Sequence, residues 1–115
     1  MENFIPLAET IDSNILMAEY EKSLDFDKIA VGENVLFFNR FARVEYLPIS
    51  IIERVYRSVG GINPNQCCNT AFDVFTLVVE YNGGVVEGRV MYEFQFQEIM
   101  DALEIRNPNI NFTSE

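Results

Sequence analysis

The chain contains no histidine and no tryptophan among its 115 residues. Without histidine there is no imidazole to act as a general base, to complete a Ser-His-Asp triad or to bind a metal ion. The carboxylates form no recognised acid–base pair. Neither Gly60-Gly61 nor Gly83-Gly84 is followed by the Lys-Ser/Thr of a phosphate-binding loop. We therefore predict that the protein is not an enzyme and uses no cofactor.

Cysteine is also scarce, because Cys67 and Cys68 are the only two in the chain. Adjacent cysteines can close only a strained small ring, so they predict no disulfide framework. A closed zinc site requires four ligands, and the chain offers no further cysteine and no histidine. We interpret both residues as free thiols in or under a loop and predict no metal site.

Basic residues are few, with 8 Lys and Arg against 18 Asp and Glu and a net charge of −10. Nucleic acids and anionic membrane surfaces both attract Lys and Arg, so this charge argues against either as a partner. No apolar run approaches the roughly 20 residues of a membrane-spanning helix, and the N-terminus does not resemble a secretion signal. We expect a cytoplasmic protein with no integral membrane association and no nucleic-acid partner.

Half of the residues are apolar, which together with the length predicts one folded unit with a hydrophobic core. The acidic excess lies mainly in the first 33 residues, where the only basic residues are Lys22 and Lys28. We predict a helix over residues 12–24, capped by Asp12 or Ser13. Its apolar residues recur at helical spacing: Leu16, Met17, Tyr20 and Leu24. We accordingly divide the chain into an acidic helical extension, residues 1–31, and a main domain, residues 32–115.

Strand-like sequence begins after Gly32. Residues 35–38 predict a buried strand, and residues 41–47 predict a second strand after a turn at Asn39-Arg40. Residues 49–59 fit both a helix and a strand, and periodicity does not decide between them. Residues 60–69 predict a loop. A hairpin then follows, with strands at 74–81 and 85–92 around Asn82-Gly83-Gly84, since such turns need positive φ.

The chain closes with an amphipathic helix. Its apolar residues stand at positions i, i+3, i+4 and i+7: Phe96, Ile99, Met100 and Leu103. Arg106 suits the negative end of the helix dipole, Asn107 can adopt a left-handed cap, and Pro108 prevents continuation. Strands in series followed by one amphipathic helix predict an α+β domain with an antiparallel sheet.

Several sequence stretches carry a family resemblance. They are residues 32–38, residues 46–56 with their Tyr-Leu-Pro-Ile corner, residues 75–84, and the helix that runs into Asn107-Pro108. In this order they resemble the bacterial pleckstrin-homology-like (PH-like, GRAM-type) domains. The resemblance covers roughly residues 32–110 and implies a strand at 52–59. It also implies a strongly bent antiparallel sheet, or partly open barrel, of about five to seven strands. The C-terminal helix would close this sheet, and the N-terminal helix would be an addition.

PH-like folds mostly serve as binding platforms for lipids, peptides or protein partners. Some members hold phosphoinositides with Lys and Arg around the first hairpin. Here that hairpin offers only Arg40 and Arg43, a departure that argues against phosphoinositide binding. These two arginines are candidate ligands for an anion or small molecule, and the alternative is that they pair with nearby carboxylates such as Glu45.

Adjacent Phe37 and Phe38 are candidate interface residues, because alternation along a strand must turn one of them away from the core. A phenylalanine that faces outward would suit a contact between subunits. We therefore predict a non-enzymatic protein-interaction or self-association domain that forms homo-oligomers by strand-edge pairing or helix docking. The alternative function is a small-ligand or anion-binding domain that uses Arg40 and Arg43.

Overall fold

The chain forms two β-sheets and two α-helices in a computed structural model that describes residues 4–60 and 74–112. The helices are α1 (Ser13–Glu21) and α2 (Phe94–Arg106). The strands are β1 (Phe4–Pro6), β2 (Leu24–Asp25), β3 (Ile29–Val31), β4 (Val35–Asn39), β5 (Val44–Pro48), β6 (Ile52–Gly60), β7 (Val74–Tyr81) and β8 (Gly84–Val90).

The predicted α+β class is confirmed, but the described strands form two separate sheets and no barrel. The first sheet has five strands in the order β1-β5-β4-β3-β2, and the second has three in the order β6-β7-β8. Neighbouring strands are antiparallel except β1, which runs parallel to β5. Three strands of the first sheet precede residue 32, and sequence patterns did not predict them because each has only two or three residues.

Helix α1 covers the outer face of the first sheet. Asp12 caps it by accepting a hydrogen bond from the Asn14 backbone N–H at 3.2 Å, as predicted. Leu16 is buried and the Tyr20 ring packs edge to face on Phe37, with centroids 5.0 Å apart. The helix ends three residues before the predicted boundary. Leu24 lies in β2 instead and is half exposed.

The ambiguity at residues 49–59 resolves into a 3-10 turn, Ile49–Ile51, followed by β6. The turn of the β4–β5 hairpin lies two residues later than predicted, because Arg40 N donates to Arg43 O at 2.8 Å and leaves Phe41 and Ala42 at the tip. Strand β5 therefore begins at residue 44 rather than 41. In the predicted β7–β8 hairpin, only Gly83 adopts a positive φ, of 82°.

The main core lies between the inner faces of the two sheets and α2. Ile29, Leu36 and Phe38 come from the first sheet, and the second sheet contributes mainly valine and leucine side chains. From α2, Phe96, Ile99 and Leu103 are buried as predicted, while Met100 is half buried: this is the apolar stripe of the amphipathic helix. The two sheets lie close together at Gly88, where a Cβ atom would lie 2.7 Å from Phe38 Cδ1.

The end of α2 differs from the prediction. Asn107 has a φ of −149°, so the predicted left-handed cap is wrong. Its side chain is used instead to join two elements, because Asn107 Nδ2 donates to the buried Ile49 carbonyl at 2.9 Å. Arg106 Nε likewise donates to the Gly32 carbonyl at 2.6 Å. The loop predicted after Gly60, with Cys67 and Cys68, lies outside the described residues.

Candidate interaction site

A groove of about 680 Å³ lies between the outer edge of β6 and the N-terminal half of α2. Four aromatic rings line it: Tyr56, Phe94, Phe96 and Phe112. Tyr56 and Arg57 both belong to β6. Neighbouring side chains of a strand point to opposite faces of the sheet, and at the edge of the sheet both can line the same groove. Gln97 and Met100 complete the α2 wall. The groove volume falls within the range of about 300–1,000 Å³ that is typical of ligand sites.

Exposed apolar side chains extend from the groove along the segment that joins β8 to α2. Tyr92 and Phe94 are more than half exposed, and Met91 is exposed as well. The Tyr92 and Phe94 rings stack with their centroids 5.6 Å apart and their planes 12° apart. Stacking fixes these rings before any partner arrives, so less side-chain entropy is lost on binding. Contiguous apolar surface of this kind is typical of interaction sites.

The lining of the groove carries one charge of each sign. Arg57 is the one cation that lines it, and Glu93 lies 3.6 Å from its guanidinium. The same guanidinium lies over the Phe96 ring, 5.7 Å from its centroid. On α2, Gln97 Nε2 donates to Asp101 Oδ1 at 2.8 Å, which fixes a further carboxylate beside the groove. The groove thus combines aromatic faces with one ion pair, and a further carboxylate, that of Asp101, lies beside it.

Arg54 and Glu80 form a second ion pair on the outer face of the second sheet, with Arg54 Nη2 2.6 Å from Glu80 Oε2. The hydrogen bond from Arg54 lowers the pKa of Glu80 below its ordinary value. The Arg54 guanidinium also lies 5.1 Å from the centroid of the Tyr56 ring. This cation–π contact helps to hold the Tyr56 ring at the groove wall.

Arg40 and Arg43 meet at one carboxylate. Arg40 Nε donates to Glu45 Oε1 at 2.9 Å, and Arg43 Nε donates to Glu45 Oε2 at 3.0 Å. Burial alone would raise the pKa of Glu45, but the hydrogen bonds from both arginines outweigh it and hold the pKa below its ordinary value. Arg40 Nη2 also donates to the Glu87 carbonyl at 2.7 Å. Both candidate ligand-binding residues thus have partners within the chain.

Phe37 and Phe38 point to opposite faces of β4, as alternation requires, yet neither reaches the surface. Phe38 faces the main core, whereas Phe37 faces α1 and packs with Leu16 and Tyr46. Helix α1 covers Phe37, whereas we had expected a second subunit to cover the outward-facing phenylalanine. These two side chains therefore offer no surface for a subunit contact in this arrangement.

Within residues 4–60 and 74–112, no three Asp, Glu, Cys or His side chains stand close enough to hold a metal ion together. Over the same ranges, no helix has the length and apolar character to cross a membrane. Comparison with family models, with curated proteins and with solved structures gives no match for this chain.

The groove residues were not identified from the sequence. The predicted strand extends to Tyr92, whereas β8 ends at Val90. A usable signal was present, because Phe94 does not fall on the helical stripe of Phe96, Ile99 and Leu103. An aromatic residue off the stripe of an amphipathic helix is a candidate for surface exposure.

Proposed function

We propose that this protein is a non-enzymatic interaction domain that binds an extended peptide segment of a partner protein in the groove between β6 and α2. One observation carries the proposal. The groove is lined by four aromatic rings, and one of them, Phe94, stacks on the exposed Tyr92, so that the aromatic surface continues beyond the groove. Aromatic-lined grooves are a recurring mode of peptide recognition, because flat rings present large apolar contact area at low entropic cost.

Charge complementarity favours a partner segment that carries Lys or Arg. The chain has a net charge of −10; Glu93 lines the groove beside its partner Arg57, and Asp101 lies next to the groove on α2. A cationic side chain gains from the carboxylates and from the faces of the aromatic rings. The arrangement of Arg57, with its carboxylate and its ring, is an internal example of this mode of binding. We propose basic residues on either side of an apolar anchor.

The test is a selection of random peptides displayed on phage against the full chain. We expect enrichment of peptides with Lys or Arg flanking an aromatic or aliphatic residue. Phe94→Ala should weaken the binding of a selected peptide about 30-fold or more, because truncating a central aromatic contact costs about 2 kcal/mol or more. Ile105→Ala is the matched control, since Ile105 is an exposed apolar residue of the same helix that does not line the groove.

Three outcomes would contradict the proposal. The first is the absence of any enriched sequence, and the second is enrichment of acidic peptides. The third is binding that Ile105→Ala weakens as much as Phe94→Ala does. Retention of a small molecule by the purified protein, displaced by Phe94→Ala, would replace the peptide by a small ligand in the same groove.

The anion-binding alternative has less support. Glu45 accepts hydrogen bonds from both Arg40 and Arg43, so an anion at the hairpin would have to displace a charged partner from the same chain. A thermal unfolding series in inorganic phosphate tests it directly, because a ligand of the folded state raises Tm with its concentration. We expect no rise beyond that produced by sodium chloride at equal ionic strength.

A further inference from the structure

The outer edge of β8 is the longest open strand edge in the described part of the chain. Strand β8 has seven residues and pairs with β7 without a register shift. The other edges are shorter or interrupted: β2 has two residues, β1 ends in Pro6, and β6 carries a register shift and a bridge to Asn111. Proline, bulges, short length and charged side chains, lysine above all, protect natural edges from pairing. Strand β8 has no proline, lysine or bulge, and its two charged residues, Glu87 and Arg89, are of opposite sign.

We propose that β8 pairs with β8 of a second copy of this chain, antiparallel and about a two-fold axis at Gly88. The two three-stranded sheets would then form one continuous sheet. The interface is isologous, since the same strand is used on both sides. Strand β8 lies at the opposite edge of the second sheet from β6 and the groove, and Met91 is the residue that the two exposed apolar surfaces have in common.

Hydrogen-bonding geometry determines which groups of β8 face outward. Tyr81 and Gly84 close a hairpin with a two-residue turn, and such a closing pair is hydrogen bonded. Backbone groups therefore alternate along β8, and those of Glu87 and Arg89 face away from β7. The bond from Arg40 Nη2 to the Glu87 carbonyl agrees with this direction. A second strand can pair only with these outward groups.

Charge selects the register. With the axis at Gly88, Glu87 lies opposite Arg89 of the second copy, and Arg89 lies opposite Glu87 of the second copy. Both members of each pair have outward backbone groups, so each pair can exchange two N–H···O bonds. An axis at Glu87 would instead place two carboxylates opposite each other, and directly opposed like charges destabilise a sheet. The Gly88 register therefore satisfies hydrogen bonds and charge together.

Apolar side chains gather at the same edge. Val85 is 61% exposed and Met91 is 44% exposed, and the Gly88 register places each opposite the other across the axis. Phe41 is fully exposed at the tip of the β4–β5 hairpin, and its neighbour Arg40 reaches β8. Pairing of two copies would remove part of this apolar surface from water, which favours association.

Arg40 limits the pairing. Its guanidinium occupies the Glu87 carbonyl, which would accept the Arg89 N–H of the second copy. Glu45 and the Phe38 ring hold the guanidinium there, at 2.9 Å and 5.4 Å respectively. Two copies can pair at Glu87 only after Arg40 has left. Removal of this side chain should therefore strengthen the dimer.

Sedimentation velocity at near-physiological salt tests the proposal with Glu87→Arg and Arg89→Glu. Each variant alone places like charges opposite each other, so its dimer dissociation constant should rise about tenfold or more relative to the unaltered chain. An equimolar mixture of the two variants restores both opposite-charge pairs and should form a heterodimer. Native mass spectrometry separates it from homodimers, because the variants differ in mass.

Arg40→Ala is the second variant, and it should lower the dimer dissociation constant. The proposal is overturned if the unaltered chain and Arg40→Ala both remain monomeric at millimolar concentration. It is also overturned if the mixture of charge variants forms no more heterodimer than either variant forms homodimer. Circular dichroism checks that each variant keeps the fold. We expect unchanged spectra for the two charge variants, because Glu87 and Arg89 are exposed on the sheet surface.

Discussion

Gly88 lies where the packing of β8 against the first sheet leaves no room for a side chain. A Cβ atom at this position would lie 2.7 and 2.9 Å from two ring atoms of Phe38 and 3.0 Å from Ile29 Cδ1. Carbon atoms in a packed core normally lie about 3.5–4.0 Å apart. Phe38 and Ile29 are completely buried, so neither has free space into which to move. Gly88→Ala therefore requires the two sheets to separate locally.

Two effects of opposite sign determine the result of Gly88→Ala. Replacement of glycine by alanine within a strand ordinarily stabilises by roughly 0.5–1 kcal/mol, because the unfolded chain loses freedom. Overpacking of a filled core costs about 1–3 kcal/mol. We expect a net loss of about 1–2 kcal/mol, which corresponds to a fall in Tm of about 4–10 °C for a chain of this length.

Urea unfolding followed by circular dichroism and tyrosine fluorescence measures the loss at Gly88. Val85→Ala is the control on the outer face of the same strand, with an expected change within about 0.5 kcal/mol. Phe38→Leu makes room for the new methyl group, so the double variant should be more stable than the sum of the single losses by about 1 kcal/mol. A Gly88→Ala protein more stable than the unaltered chain, or strict additivity with Phe38→Leu, would refute the reasoning.

Three further changes test other contacts. Glu45→Gln should lower stability by about 1–2 kcal/mol at pH 7. Because the pKa of Glu45 is lowered in the folded state, this advantage of the unaltered chain is present above about pH 4.5 and is lost as the pH falls through the lowered pKa. Urea midpoints of both proteins, measured in steps from pH 7 into the acid range, should therefore converge. Asn107→Ala leaves the buried Ile49 carbonyl without its donor and should cost about 1–3 kcal/mol by the same assay; Asn107→Asp, which also lacks the donor, should not restore stability. Leu16→Ala should cost about 2–5 kcal/mol and speed hydrogen exchange in α1, whereas Met17→Ala, on the exposed side, should change stability by less than about 0.5 kcal/mol.

Local patterns in the sequence predicted the elements whose neighbours along the chain determine their structure. The apolar stripe of α2 and the Asn82-Gly83 turn are both present, because helical spacing and a residue that tolerates positive φ act over a few positions. The Asp12 cap belongs to the same class, since it bonds to an amide only two residues away. The order of these local patterns, strands followed by one amphipathic helix, predicted the α+β class.

Features that depend on distant partners could not be predicted in this way. One of Phe37 and Phe38 was expected to be an exposed interface residue. Phe37 is the one that faces away from the main core, but α1 covers it, and periodicity within β4 carries no information on which element lies above that face. Asn107 was expected to adopt a left-handed backbone conformation, but its φ is −149°. Its side chain instead donates to the Ile49 carbonyl, 58 positions earlier in the chain. The three short strands before residue 32 exist only because they pair with one another and with β4 and β5.

The candidate sites follow the same division. The sequence by itself determined the charge, the absence of histidine and the positions of the aromatic residues, because these are properties of single residues. Only the tertiary structure brought Tyr56, Phe96 and Phe112 to one groove and both hairpin arginines to Glu45. It also left β8 at the edge of its sheet. These arrangements depend on contacts between residues far apart in the chain, and the packing of the two sheets against α2 decides them.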